Sequence, residues 1–375
     1  MQKEVTSGIN KIFAAILIGV MLILMIGIVV SGWQTDNTGE NSGDSGNITA
    51  DVDDLNGDTD KNSGTADNFS NSENVVQKEP LHTNYLTGLE IDEKNQNRNP
   101  FVMITDPNAL SYGISDSELT VEIPTEGGNT RFLTYITDVS SLGKLGAFTG
   151  TRKYITQITS YFGGLVISNG NDDIISYPAL RTEIAIDLSE HSDAIHMENG
   201  KSLYTDGESV MKIAKDEGVD LISYKRPTLP FDFCAFGECV FGKSQATEIY
   251  IPYSNENSTA LVYDTAAKSY VLYKNERLKY DMLNGECVSY KNVFVLFADV
   301  VTYETAYGTE SIVKNETSGT GYYVSNGTLT EIKWSVDSNG NMIFKDLNGK
   351  RLAVNRGTSF IGYYKSSEAD SVIFK

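Results

Sequence analysis

The sequence predicts an α+β protein: a mixed α+β region at residues 85–240, an antiparallel all-β region at 241–375, and one transmembrane helix ahead of both. Three observations lead to this prediction. An uncharged apolar run lies near the N-terminus, an acidic segment without hydrophobic periodicity follows it, and β-rich runs separated by turn residues occupy most of the remainder. The 375 residues suffice for two ordinary domains behind a tail.

The apolar run, IFAAILIGVMLILMIGIVV, covers residues 12–30 without a charge. About twenty such residues in a helix cross a hydrocarbon core of ~30 Å. Two lysines precede the run and acidic residues follow it, so the positive-inside rule puts residues 1–11 in the cytoplasm and the rest outside. We predict an anchor in the cytoplasmic membrane over residues 12–33, ending at the interfacial Trp33. The alternative is a cleaved signal peptide, for which VVSGW is a poor cleavage site.

Residues 34–84 are expected to form a disordered acidic linker. Eleven Asp and Glu stand against two lysines between positions 34 and 80, and Asn, Gly, Ser and Thr dominate the remainder. Such a chain buries too little apolar surface to offset its ordering entropy. DLNGDTDKN resembles the start of a calcium loop, but Thr59 and Thr65 stand where the loop needs Gly and a bidentate acid. The net charge of −20 disfavours nucleic acid as a partner.

The region 85–240 contains four predicted strands and one predicted helix. The strands are FVMIT (101–105), LTVEI (119–123), RFLTYIT (131–137) and GLVIS (164–168), rich in apolar and β-branched residues. GESVMKIAKDEG, residues 207–218, places Val210, Ile213 and Ala214 on one helical face and ends in Gly218, so it is predicted as a helix.

Beyond residue 240 the pattern is one of strands and tight turns without helical periodicity. Eight runs rich in Tyr, Phe, Val and Ile are predicted as antiparallel strands of a sandwich or half-barrel. They are EIYIPY, ALVYD, SYVLYK, NVFVLFADVVTYE, GYYVS, TEIKWSV, MIFKD and SFIGYYK. Asn-Gly pairs beginning at positions 326, 339 and 348 tolerate the positive φ that two-residue hairpins require.

The titratable residues offer few catalytic sets. No G-x-S-x-G elbow is present, and the three histidines lie in the linker and in a polar segment predicted as a surface loop. Cys234 and Cys239 leave two possibilities open, a small disulfide loop in an exported chain or free thiols. Their spacing fits no standard zinc pattern, so we predict neither a metal nor another cofactor.

PTEGGNTRF, residues 124–132, is the best candidate for a ligand site. Arg131 suits a planar, bidentate grip on a carboxylate or phosphate, and Glu126 is a nearby partner that would orient its guanidinium. Glu122 and Glu126 are the obvious carboxylate pair for glycoside cleavage, provided that the strand continues through Pro124. The simpler interpretation is that Glu126, the two glycines and Arg131 only build and pin a strand-to-strand turn.

Four motifs follow one another in the order found in the YerB-like bacterial lipoproteins, and the chain resembles that family over about residues 85–375. The motifs are LTGLEIDE (86–93), NPFVMITD (99–106), VEIPTEGGNTRF (121–132) and LGAFTGTR (145–152). KNVFVLFADV, SGTGYYVSNGTLTEIKW and FKDLNGKRLAVNRGTSFIGYY are similar to the family's second, all-β domain. The resemblance implies an envelope protein of two domains whose functions are unknown.

The chain departs from the family's pattern at three points. Members usually carry a lipid-modified Cys after the signal, whereas VVSGW offers Trp33, so the anchor has to be the helix itself. The family's Gly-Pro-Val-Arg-Ser-Ala-Arg motif corresponds to GAFTGTR, which keeps Arg152 but has Thr149 in place of the first Arg. A His that usually follows the next strand corresponds to Ser168. Any catalytic centre made from those groups is incomplete here.

These observations favour a membrane-anchored binding or scaffolding module of the cell envelope over an enzyme. The expected ligand is anionic, either a cell-wall peptide carboxylate or the acidic side chain of a partner protein. The expected ligand-binding residues are Glu122, Glu126, Thr130, Arg131 and Arg152. The alternative is a hydrolase or transferase that acts on cell-wall polymer, with Glu126 as acid/base and the arginines as anion clamps.

Overall fold

A fourteen-stranded sheet forms the centre of the fold, and a six-stranded sheet packs against part of it. The computed structural model describes residues 79–170, 184–198, 202–222, 229–305, 308–313 and 318–375. The predicted anchor, and the predicted linker up to residue 78, lie outside these ranges. Within them, no helix is long and apolar enough to cross a membrane.

The first region contains the four predicted strands and the predicted helix. Its strands are β1 (Phe101–Thr105), β2 (Leu119–Pro124), β3 (Thr130–Ile136), β4 (Leu145–Phe148), β5 (Leu165–Ser168), β6 (Ile186–Asp187), β7 (His196–Glu198), β8 (Ser202–Thr205) and β9 (Asp232–Phe233). Its helices are α1 (Lys153–Ser160) and α2 (Gly207–Asp216), and short 3-10 turns occur at Glu93–Asn95, Glu126–Gly128 and Leu188–Glu190. The Asp206 side chain caps α2 by accepting from Ser209 N at 2.8 Å, which confirms the predicted helix start.

The sequence does not predict α1, because KYITQITS is rich in β-branched residues, which favour strands. Packing decides in favour of the helix. Tyr154, Ile155 and Ile158 are buried, and their spacing puts them on one helical face. Arg152 occupies the N-cap position, so the start of α1 also positions one of the expected site residues.

In the second region all eight predicted runs form strands. The described residues of this region contain no α-helix. The strands are β10 (Ser244–Gln245), β11 (Glu248–Pro252), β12 (Ser258–Asp264), β13 (Ser269–Lys274), β14 (Arg277–Leu278), β15 (Ser289–Tyr290), β16 (Asn292–Ala298), β17 (Val300–Thr305), β18 (Gly308–Val313), β19 (Ser318–Ser325), β20 (Thr328–Val336), β21 (Met342–Asp346), β22 (Ala353–Val354), β23 (Ser359–Lys365) and β24 (Ile373–Phe374), and a 3-10 turn covers Ser366–Ser371. Asn326 and Gly327 both have positive φ and close the β19–β20 hairpin. A second turn of this kind, Asn275-Glu276, joins β13 to β14.

The prediction of a purely antiparallel second region is wrong at β23. The large sheet has the order β10-β20-β19-β16-β23-β2-β3-β1-β4-β8-β7, and β23 pairs in parallel with β16 on one side and with β2 on the other. Parallel strands in the middle of a sheet are buried on both faces and have continuous apolar runs, as NVFVLFA and SFIGYY do. Through β23 the two regions share one sheet.

The hydrophobic core belongs to this shared architecture. Its buried residues range from Leu86 to Val372, and one cluster joins Leu261 and Leu272 of the smaller sheet to Val293 of the large one. Residues Gln77–Lys375 form one compact unit with all of these core residues inside it. A fragment 77–375 therefore has what it needs to fold on its own. It includes residues 79–84 of the predicted linker, where the Glu79 carboxylate pairs with Arg356 at 2.9 Å.

Candidate ligand-binding site

The stretch PTEGGNTRF is a tight connection from β2 to β3. Thr125 N donates to Asn129 O at 2.8 Å, and Gly127 and Gly128 lie in the left-handed region at φ +66° and +74°. A Cβ at Gly128 would come within 2.5 Å of the Ser254 Cβ, so this position needs glycine for space as well as for conformation. A strand-to-strand turn is the simpler of the two interpretations that the sequence allows for this motif.

Among the described residues, Glu126 pairs with Arg152 and not with Arg131. Glu126 Oε1 accepts from Arg152 Nη2 at 2.6 Å, while Oε2 is buried without a hydrogen-bond partner in the described part of the chain. Arg131, half-buried on β3, donates to the carbonyl of Thr130 at 3.2 Å. The two expected arginines are therefore held by different groups, and Glu126 ties the β2–β3 turn to the start of α1.

Glu122 and Thr130 lie in a buried polar network instead. The fully buried Glu122 accepts from Lys274 Nζ at 2.5 Å, from Thr130 Oγ1 at 2.7 Å and from Thr259 Oγ1 at 2.6 Å. Lys274 Nζ also lies 3.3 Å from Thr130 Oγ1 and 3.1 Å from Thr259 Oγ1, so all three ammonium N–H groups have acceptors. Burial lowers the pKa of Lys274, and Glu122 opposes that shift. Glu122 and Glu126 thus belong to separate networks rather than to one carboxylate pair.

Lys274 also lines an open cleft of about 450 Å³, which we call the loop–hairpin cleft. One side is the loop 107–111 after β1, and the other is residues 274–282, from the end of β13 through β14. Met282 N donates to Ser111 O at 2.8 Å, which joins the two sides. The buried Asp281 carboxylate accepts from Gly113 N and Ser115 N and fixes the second side to the chain beyond the loop.

Lys279 is the most unusual group in this cleft. It is 8% exposed, and its Nζ donates to the carbonyls of Pro107 and Ala109, each at 2.7 Å. Its third N–H has no acceptor, and no carboxylate lies within salt-bridge distance, among the described residues. Burial lowers the pKa of Lys279 to about 8, with a smaller opposing effect from Asp106. The exposed Arg277 is the third basic residue of the cleft lining, after Lys274, which pairs with Glu122, and Lys279.

Sequence reasoning missed this cleft because its two sides come from residues about 170 positions apart. The available signal was local: KNERLKYD carries three basic residues around a two-residue hairpin turn. That pattern more often marks a solvated hairpin than a site.

The histidines and cysteines of the described residues do not line this cleft. His191 Nε2 lies 2.8 Å from Glu217 Oε1, His196 is exposed on β7, and His82 Nδ1 lies 2.7 Å from Gln96 Oε1. The cysteines at 234, 239 and 287 are free thiols in this structure. No group of three or more His, Cys, Asp or Glu side chains in the described ranges could hold a metal ion.

The chain is therefore a β-rich protein in which two regions share one large sheet. Family comparison agrees with this division: the models for the N-terminal and C-terminal domains of a "protein of unknown function (DUF3048)" match residues 86–220 and 249–361. The chain belongs to this two-domain family, as its resemblance to the YerB-like lipoproteins predicted. No curated protein matches the chain.

A solved structure supports the same assignment. The YerB protein from Bacillus subtilis is similar to this chain with a TM-score of 0.66 and 19% sequence identity, over 78% of this chain and 99% of that one. At this level of identity the similarity concerns the fold.

Proposed function

We propose that the chain is a membrane-anchored, extracytoplasmic protein of the bacterial cell envelope that binds an anionic ligand in the loop–hairpin cleft. Its first domain would be α+β and its second domain β, as expected from the sequence. The ligand is a cell-wall component or the acidic group of a partner protein. Lys279 supports this proposal best, because it is a buried cation that lines the cleft and, among the described residues, forms no ion pair with a carboxylate.

Burial of an unpaired charge is unfavourable, and proteins usually pair such a group or neutralise it. Lys279 has two carbonyl acceptors and one remaining N–H, so an anion in the cleft would supply both the missing acceptor and the missing charge. Arg277 would add a second contact at the cleft mouth. The high overall negative charge makes this local concentration of cations more distinctive.

The location rests on the uncharged run at residues 12–30 and the acidic segment after it. Alkaline washing of membranes should leave the full-length chain in the pellet, and protease added to intact cells without an outer membrane should remove the folded part. A mature protein that begins after residue 30 would instead indicate a cleaved signal peptide.

The binding test uses fragment 77–375 and inorganic pyrophosphate as the probe, with calorimetry as the readout. Loss of a hydrogen bond to a charged group costs about 1.5–3 kcal/mol, so Lys279→Met should weaken binding by about tenfold or more. Because that variant leaves two carbonyls without a donor, the exposed Arg277→Glu provides a second test that does not disturb the interior. Lys333→Glu, a charge reversal at an exposed position of β20 outside the cleft, is the control. Equal binding by the wild type and Arg277→Glu, or no binding by the wild type, would contradict the site.

The enzyme alternative retains one supporting observation, the buried Glu126 Oε2 without a hydrogen-bond partner in the described part of the chain. A carboxylate oxygen that accepts no hydrogen bond retains the capacity to take up a proton, which an acid/base group requires. The fragment would then release products from a panel of muropeptides, and Glu126→Gln would abolish the turnover. Absence of any product by mass spectrometry would remove this alternative.

A further inference from the structure

Large apolar side chains are exposed around the loop–hairpin cleft. Leu110 is 52% exposed, Tyr280 42% and Met282 46%, and all three line the cleft that contains Lys279. We call Leu110, Tyr280 and Met282 the apolar rim. Its members come from both sides of the cleft, which the hydrogen bond from Met282 N to Ser111 O holds together.

Single exposed hydrophobic residues are common on protein surfaces and require no explanation. Three of them around one cleft that also contains an unpaired cation are a different arrangement. The cleft therefore has a positively charged part at Lys279 and Arg277 and an apolar part beside it. A ligand that complements both has an anionic group joined to an aliphatic chain.

The dimensions of the cleft favour a small molecule over a folded partner. Sites for small molecules usually occupy about 300–1,000 Å³ and combine an apolar lining with a few placed polar groups. The cleft volume of about 450 Å³ falls in this range. The donors from Lys279 and the guanidinium of Arg277 are the placed polar groups.

We propose that the loop–hairpin cleft binds a single anionic amphiphile, with its phosphate or carboxylate at Lys279 and Arg277 and its chain against the apolar rim. This inference rests on the proposed anion-binding function and names the ligand class. A lipid monomer from the neighbouring membrane has this chemistry. Burial of two methylene groups of the ligand's aliphatic chain, at about 0.8 kcal/mol each, is expected to strengthen binding by about tenfold.

The test compares three probes on fragment 77–375: dodecyl phosphate below its micellar concentration, inorganic phosphate, and neutral dodecyl maltoside. We expect dodecyl phosphate to bind at least about tenfold more tightly than either of the others, because only it engages both parts of the cleft. Leu110→Ser and Met282→Ser should each weaken dodecyl phosphate binding while leaving phosphate binding unchanged. Leu89→Ser is the control, since Leu89 is 42% exposed and lies outside the cleft.

The outcomes separate this inference from the proposed function. If phosphate and dodecyl phosphate bind equally and Arg277→Glu weakens both, the cleft is an anion site and the amphiphile proposal is overturned. If dodecyl maltoside binds as well as dodecyl phosphate, the charge plays no part and the amphiphile proposal also fails. If no anionic probe binds, both proposals fall together.

Discussion

Replacing Lys274 with methionine should destabilise the fold strongly, because it removes one partner of a buried ion pair. The Lys274 ammonium group lies 2.5 Å from Glu122 Oε1 and also donates to two threonine hydroxyls. Methionine retains much of the side-chain volume. It leaves the Glu122 carboxylate with the hydroxyls of Thr130 and Thr259 as its remaining donors in a site without solvent.

Removal of one member of a buried pair typically costs about 3–5 kcal/mol. The two threonine donors remain in the variant, so the lower end of that range, about 3 kcal/mol, is the expected loss in the free energy of unfolding. Domains of ordinary stability have about 5–15 kcal/mol in total. Lys274→Met should therefore shift the urea midpoint of unfolding well beyond experimental error.

Urea unfolding of fragment 77–375 at neutral pH, followed by circular dichroism, measures this loss. The double variant Glu122→Gln/Lys274→Met removes both charges, so it should be clearly more stable than the sum of the two single losses predicts. Lys345→Met, at an exposed position of β21, is the control and should change stability by less than about 0.5 kcal/mol. A Lys274→Met loss below about 1 kcal/mol, or additive losses in the double variant, would refute the reasoning.

Three further predictions concern other parts of the same fragment. Burial raises the pKa of Glu118 to about 7, above its unfolded value, so the free energy of unfolding should fall as pH rises from about 4.5 to 7. Glu118→Gln should remove about 1–3 kcal/mol of that fall in urea titrations at several pH values. An unchanged dependence on pH in the variant would contradict this. Gly128→Ala should lower the melting temperature more than Gly127→Ala, because both have positive φ but only Gly128 lies against Ser254; equal effects would show that space is not limiting. Arg152→Ala should lower the free energy of unfolding more than Arg131→Ala in urea titrations, because Arg152 pairs with the Glu126 carboxylate at 2.6 Å whereas Arg131 donates to the neutral carbonyl of Thr130; equal losses would contradict this assignment of partners.

Strands and one helix were predictable because their signals are local. FVMIT, LTVEI and the apolar runs of the second region carry their β preference in five to eight consecutive residues, and α2 has a cap, an apolar face and a terminal glycine. The helix α1 and the parallel pairing of β23 could not be predicted in this way. Tertiary packing overrides the β-branched composition of α1, and the parallel partners of β23 lie in distant parts of the chain.

The candidate site shows the same limit more sharply. Sequence proximity suggested Arg131 as the partner of Glu126, but the observed partner is Arg152, twenty-six positions away. Lys279 attracts no attention as one lysine in a hairpin, and its burial depends on carbonyls about 170 residues earlier. The sequence could indicate which residues are suited to bind anions, but not which of them are buried without forming a direct ion pair.

The central position of β23 has a consequence for biosynthesis. β23 begins 235 residues after β2 ends (359 − 124), and until it is synthesised β2 and β16 each retain an unoccupied hydrogen-bonding edge. Open edges of apolar strands readily pair with other chains. The nascent protein therefore depends on protection from aggregation while the residues between β2 and β23 are synthesised, and expressing either family domain alone would leave an apolar strand edge open permanently.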